Sequence, residues 1–501
     1  MNIKRAKEEI KNAIRAYLSR DSFGQYRIPP VRQRPILLMG PPGVGKTQIM
    51  EQIAEETGIG LVCYTITHHT RQSALGLPYI EHRAYGGREY AVTEYTMSEI
   101  IASVYRSIER SGVREGILFL DEINCISETL TPMMLQFLQC KTFGNQRLPE
   151  GWVVVAAGNP PEYNKSVREF DVVTLDRVKR IDVNEDFGVW KEYAYRRGLH
   201  GAVISYLEIR KEHFYRIETT ADGLQFATAR GWEDLSELLY AYESLGLPVD
   251  REVIGQYIQL PRIAGDFANY LALYEKYRRV YKVEDILAGA YEPLRGAELA
   301  AAPFDERLGV LGLLLARLSE TAREAYRQDA LTDALHKTLQ RIRDAEQAAP
   351  AALQLNLAEK QAHIERRRES GSADRDAQRT LLAEAAWLEN AQKTLLTEGV
   401  PTDAAFDRLR ALFAAEPEKR LQLAHEAGRQ IEAAFAFLDD ALPDSQELIL
   451  FATELTANFF TSWLIQTFGC EAYYRHNDRL LFDDTRQKIM ENIAAARQSE
   501  I

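Results

Sequence analysis

Apolar positions change rhythm along this chain. Between about 34 and 183 they come in short, nearly continuous runs: PILLM from Pro35, LVCYTI from Leu61, ILFL from Ile117, WVVVAA from Trp152 and RIDV from Arg180. Helix-like segments and glycine–proline punctuation separate them. Runs that are apolar on both faces predict a parallel five-stranded sheet covered on each side by helices. Residues 1–30 open with an amphipathic helix. Within 66–100, LPYIEHRAY and REYAVTEY flank Gly86-Gly87, the signature of a β-hairpin. After about Asn184 the strand signal nearly vanishes. VWKEYAYRRG, LHGAVISYLEIRKEHF and GWEDLSELLYAYESLG read as helices, the last closed by a glycine. Beyond about Lys282 the chain is helical throughout, with Leu331, Leu335, Leu339 and Ile342 on one stripe. Its polar middle, RRRESGSADRD, fits either a joint or the solvated tip of long antiparallel helices. The pattern gives an α/β domain over 31–190, a helical bundle over 191–282 and an all-α domain over 283–501.

Composition narrows the partners. With 501 residues, 46% hydrophobic and 27% charged, the chain is long enough for about two to four globular domains. A net charge of −12 argues against a duplex-binding surface, because phosphate contacts need clustered Lys and Arg. The four cysteines, Cys63, Cys125, Cys140 and Cys470, are scattered and form no C-x-x-C pair, which points to a reducing compartment. The N-terminus lacks the layout of a signal peptide, and LGVLGLLLARL is too short to span a bilayer. The expectation is a cytoplasmic protein with no membrane role.

The chemistry gathers at the ends of the apolar runs. Gly40-Pro41-Pro42-Gly43-Val44-Gly45-Lys46-Thr47, followed by Gln48, fits G-x-x-x-x-G-K-[ST] between a strand and a helix. The glycines let backbone N–H groups turn toward phosphate oxygens, and the helix that follows offers its positive end. Lys46 suits the β and γ phosphates of a nucleotide such as ATP, and Thr47 suits Mg²⁺. GILFLDEIN ends a buried strand in Asp121 and Glu122. Asp121 is placed to hold Mg²⁺ through water, and Glu122 to polarise an attacking water. Asn159 closes WVVVAAGNPPEY, either as a turn residue before two prolines or as a neutral group that orients water. Arg177, Arg180 and Arg230 offer planar, permanently charged forks for phosphate, although any arginine can serve as a surface residue.

Taken in order and spacing, GPPGVGKT, ILFLDEIN, AAGNPP, LDRVKRIDV and TARGWEDLS resemble an AAA+ ATPase, most closely the MoxR-type branch related to magnesium-chelatase subunits. The likeness covers about residues 30–280. It implies an α/β P-loop NTPase core, an α-helical lid and, in this chain, an additional all-α C-terminal domain that the family does not account for. It further implies Asn159 as sensor 1, Arg177 as the arginine finger with Arg180 as the other choice, and Arg230 as sensor 2. A finger acts on a neighbour's nucleotide, so the resemblance implies a homo-oligomer, a six-membered ring. It also implies a partner with a von Willebrand factor A (VWA) domain and a protein client. The hairpin within 66–100 either reaches toward the ring channel, as in relatives, or covers a sheet edge. Two other readings stay open: a nucleic-acid-stimulated motor, and an ATP-gated scaffold with slow turnover.

Overall fold

The computed structural model describes residues 1–68, 76–127, 130–143, 146–163, 167, 170–220, 223–370 and 375–477. The chain forms two compact units, Met1–Val189 and Trp190–Ile501. Part of the polar stretch RRRESGSADRD, residues 371–374, lies outside the described residues.

The first unit is built on a parallel sheet. Its strands are β1 (Ile36–Met39), β2 (Gly60–Thr65), β5 (Gly116–Asp121), β8 (Trp152–Gly158) and β9 (Lys179–Asp182), in the order β2-β5-β8-β1-β9. Alternation along each strand divides the core into two layers. Ile36, Leu38, Ile117, Phe119, Val153 and Val155 face one side, where they meet Ile10 and Ile14 of the helix Ile3–Leu18 and Met50 and Ile53 of the helix Lys46–Thr57. Leu37, Leu118, Leu120, Val154 and Ala156 face the other, against Ile101 and Val104 of the helix Glu99–Ser111 and Phe137 of the helix Thr131–Cys140. Two filled faces explain why the three inner strands, β1, β5 and β8, are apolar at nearly every position, whereas the edge strands β2 and β9 carry exposed residues. Lys7 and Lys11 tie the first helix to Glu56, each at 2.6 Å.

Two antiparallel ribbons complete this unit. Strands β3 (Pro78–Tyr85) and β4 (Arg88–Tyr95) pair antiparallel through Gly86 and Gly87. Both glycines have positive φ, 57° and 80°, as the tightest hairpin turns require. Strands β6 (Thr142–Phe143) and β7 (Gln146–Arg147) form a second, very short ribbon.

The second unit is mainly helical. Its axis is the helix Phe304–Arg343, 40 residues long and so roughly 60 Å from end to end. Around it pack the helices Gly201–Ile209, Pro261–Tyr281, Arg375–Thr397, Ala415–Ala441 and Phe459–Phe468. At one end Leu335, Leu339 and Ile342 form a core with Leu353, Leu388 and Leu409. One segment departs from the helical expectation. The helix Gly201–Ile209 stops before Arg210, and a hairpin follows, β10 (Arg216–Thr220) against β11 (Gly223–Ala227). These strands are only five residues long, and the first has a single apolar position, Ile217, so the alternation is too brief to stand out from the helical pattern around it. The apolar stretch ELILFATELTANFFTSWLIQTFG folds as two helices, Gln446–Ala457 and Phe459–Phe468, bent by 87°. Asn458 makes the corner by accepting from the N–H groups of Phe460 and Thr461 and donating to Ser319 Oγ at 2.7 Å. Among the described residues no single helix is long and apolar enough to cross a membrane.

Candidate functional site

The chemistry-bearing residues of the first unit lie at the carboxyl ends of three neighbouring strands. After β1 the backbone enters the glycine loop. Gly43 and Gly45 have φ of 78° and 88°, a region that side chains disfavour. Gly40 is fixed for another reason, because a Cβ there would stand 2.7 Å from the carbonyl oxygen of Val183. Gly45 then caps the helix that begins at Lys46.

Lys46 is only 8% exposed. Its ammonium donates to the carbonyls of Gly40 at 2.7 Å and Pro41 at 2.8 Å, and to Asn159 Oδ1 at 2.9 Å. Thr47 Oγ1 donates to Asp121 Oδ2 at 3.1 Å. The other carboxylate oxygen of Asp121 accepts from the Glu122 N–H at 2.9 Å. The loop, the strand-end carboxylate and the strand-end amide are therefore one hydrogen-bonded group. β8 runs beside β1 in register, which brings Asn159 to the lysine.

Glu122 has φ of 57°, unusual for a residue with a side chain and a form of strain found at functional sites. Its Oε2 accepts from Thr67 Oγ1 at 2.9 Å. Thr67 follows the end of β2, so two strand ends hold the carboxylate. Asn124, which sequence reasoning passed over, is 2% exposed. Its Nδ2 donates to the Asn159 carbonyl at 2.7 Å, and its Oδ1 accepts from the Asn159 N–H at 3.3 Å. The only sequence signal for it is a polar residue inside DEINC, where an apolar one would continue the packing. Gly158 makes room for it, since a Cβ at 158 would lie 2.6 Å from Asn124 Oδ1.

The arginines divide. Arg180 Nε pairs with Asp182 Oδ1 at 2.8 Å. Arg177 follows the short helix Val172–Leu175, is exposed, and bonds to the neutral Gln139. Arg230 is exposed in the first turn of the helix Ala229–Leu245, which Thr228 caps by accepting from the Gly231 N–H at 3.2 Å. It belongs to the second unit.

Residues 35–178 match the family model described as AAA domain, dynein-related subfamily. This stretch is an AAA domain. It begins one residue before β1 and spans the loop, both carboxylates, Asn159 and Arg177, while Arg180 and Arg230 fall outside it. No curated protein matches the chain. The five-stranded parallel sheet and this AAA domain make the fold that of an α/β P-loop NTPase with a mostly helical C-terminal region. AAA domains as a family bind ATP with Mg²⁺ and typically work in oligomeric rings, which supports an ATPase of the AAA+ class. A hydroxyl and a carboxylate in contact, Thr47 and Asp121, are the hard oxygen donors that suit Mg²⁺.

Proposed function

We infer that this protein is a MoxR-like AAA+ ATPase. It hydrolyses ATP as part of a homo-oligomeric ring, with six subunits as the expected number, and uses the cycle to remodel or mature a protein client. A VWA-domain protein is its partner. The observation that supports this most is the bonded group joining Lys46 to Asn159 and Thr47 to Asp121.

Each side chain has a task in this reading. The N–H groups from Gly43 to Gln48 hold the phosphates. Lys46 exchanges its loop carbonyls for phosphate oxygens. Glu122 accepts a proton from the attacking water while Asn159 keeps that water in line. Arg177 reaches the nucleotide of the next subunit and meets charge developing on the transferred phosphoryl group, and Arg230 contacts the nucleotide from the lid. Mg²⁺ held at Thr47 and Asp121 would neutralise phosphate charge.

The first test is Glu122→Gln. The variant should retain ATP and lose turnover by about a hundredfold or more, the range for removing a general base. Parent-level hydrolysis would reject Glu122. Proteins that co-purify with this variant in ATP should include the client and the VWA-domain partner. Turnover raised strongly by DNA at low salt and lost at moderate salt would instead identify a nucleic-acid motor.

A further inference from the structure

Arg177 and Arg180 stand close together in the sequence, but their partners differ in charge. Arg180 Nε meets the Asp182 carboxylate at 2.8 Å. Arg177 donates through one terminal nitrogen to Gln139 Oε1, a neutral amide. Among the described residues Arg177 has no ion-pair partner. Asp171, an acid that feels its charge, has another task. Its Oδ1 accepts from the Thr174 N–H at 2.8 Å and caps the helix Val172–Leu175. The Asp171 carboxyl is held below its ordinary value by its bonds to Thr174 first and by Arg177 last.

Both backbones are fixed, while both side chains reach the surface. Arg177 lies between the buried Thr174 and Val178 and gives its N–H to the Thr174 carbonyl at 3.1 Å. Gln139 is half-buried in the last turn of the helix Thr131–Cys140 and follows the buried Phe137 and Leu138. The Phe137 ring stacks on Phe143 with centroids 4.1 Å apart. Lys141, at φ 55°, closes the helix by giving its N–H to the Phe137 carbonyl at 2.7 Å. The negative end of that helix adds a weak attraction for a cation. A neutral acceptor suits a side chain that must leave. An amide orients a guanidinium without cancelling its charge, and it gives way to phosphate, which makes the stronger, charge-assisted bond. A carboxylate in the same place would compete with the phosphate and hold the arginine inside its own subunit.

We propose that Gln139 is a positioning residue for Arg177: it keeps the guanidinium oriented and fully charged at the surface until the nucleotide of the next subunit takes it over. This rests on the reading of Arg177 as the finger. Gln139 acts through the arginine and does not itself touch nucleotide or metal.

The test is ATP turnover by the full chain carrying Gln139→Met, which keeps the length and loses the acceptor, or Gln139→Glu, which keeps the length and adds a charge. Gln139→Met should lower kcat roughly three- to tenfold, the factor that one exposed hydrogen bond is worth. KM for ATP should stay unchanged, because the lost contact serves the transition state. Gln139→Glu should be worse at low salt by about a further fivefold, the weight of one exposed ion pair. High salt should close most of that gap when each variant is compared with the parent under the same conditions. Mixtures separate positioning from a structural defect. Gln139→Glu with Lys46→Ala protein should recover activity, because the first supplies sound nucleotide sites and the second free fingers. Gln139→Glu with Arg177→Ala protein should not recover, because both lack a usable finger. If one Gln139 variant does not fold, the other decides alone. Parent-level kcat in the Gln139 variants, with Arg177→Ala inactive, would overturn the role of Gln139 and leave the finger reading intact. Parent-level kcat in Arg177→Ala would overturn the finger reading and this role with it. A raised KM at unchanged kcat, or recovery of Gln139→Glu by Arg177→Ala protein, would also overturn the proposal.

Discussion

At the scale of single residues, the site depends on contacts that leave no room for change. Asn124 holds both backbone groups of Asn159 while itself almost fully buried. Asn124→Ala should therefore cost about 1–3 kcal/mol, the penalty for stranding buried polar groups. Because Asn159 then loses its position beside Lys46, turnover should fall more than ATP binding does. Chemical denaturation and a separation of kcat from KM check both parts. Gly40→Ala should act earlier. Its new Cβ meets the Val183 backbone at 2.7 Å, which neither side can yield without parting β1 from β9. Loss of nucleotide retention together with a lower melting temperature is the expected result. The loop, Asp121 and Glu122 were legible in the sequence because their chemistry is tied to fixed local spacing. Asn124 and Thr67 were not, because their partners are 35 and 55 residues away in the chain and only the sheet order brings them near.

At the scale of elements, the parallel strands were legible because burial on both faces demands unbroken apolar runs. The ribbon Thr142–Arg147 and the hairpin Arg216–Ala227 were not, for their strands are only two to five residues long and largely half-exposed, too short to set up a clear alternation. The same scale bears on the two finger candidates. Arg180 sits within β9 and is committed to Asp182, whereas Arg177 follows a one-turn helix that carries Val172 and Val173 in the open, 81% and 58% exposed. An apolar pair next to an exposed arginine fits a surface that meets another subunit. Arg177→Ala should stop turnover and spare ATP binding, while Arg180→Ala should leave turnover within a few-fold of the parent. Mixing Arg177→Ala with Lys46→Ala protein should restore part of the activity, since each supplies what the other lacks. No recovery in such mixtures, with each variant folded, would mean that Arg177 does not act between subunits.

At the scale of the whole molecule, stability in the second unit rests partly on charges taken out of water. Lys191 near the start of that unit and Glu454 near its end meet at 2.6 Å with only 12% and 6% of their side chains exposed. Burial alone would raise the Glu208 pKa, but Lys191 and Lys211 bring it below its ordinary value of 4.5. For Asp376, burial is likewise outweighed by Arg323 and Arg327, which hold the carboxyl below 3.8. Lowered folded-state values give a definite sign. Both groups contribute fully above their ordinary values, and the contribution disappears as pH falls through the lower folded ones. The unit should lose stability on acidification below about pH 4.5, and Arg327→Gln should lower stability at neutral pH while making the Asp376 part of that acid loss smaller, because it brings the folded-state value back toward the ordinary one. Lys191→Met is the sharper experiment. It strands the Glu454 carboxylate in the interior, so it should cost about 3–5 kcal/mol. Adding Glu454→Gln to it should recover much of that loss, because the uncompensated charge then disappears. Thermal unfolding of the two variants side by side distinguishes a structural ion pair from a surface one: a Lys191→Met protein as stable as the parent would show that solvent reaches Glu454 freely and that the charges do not join the two ends of the unit.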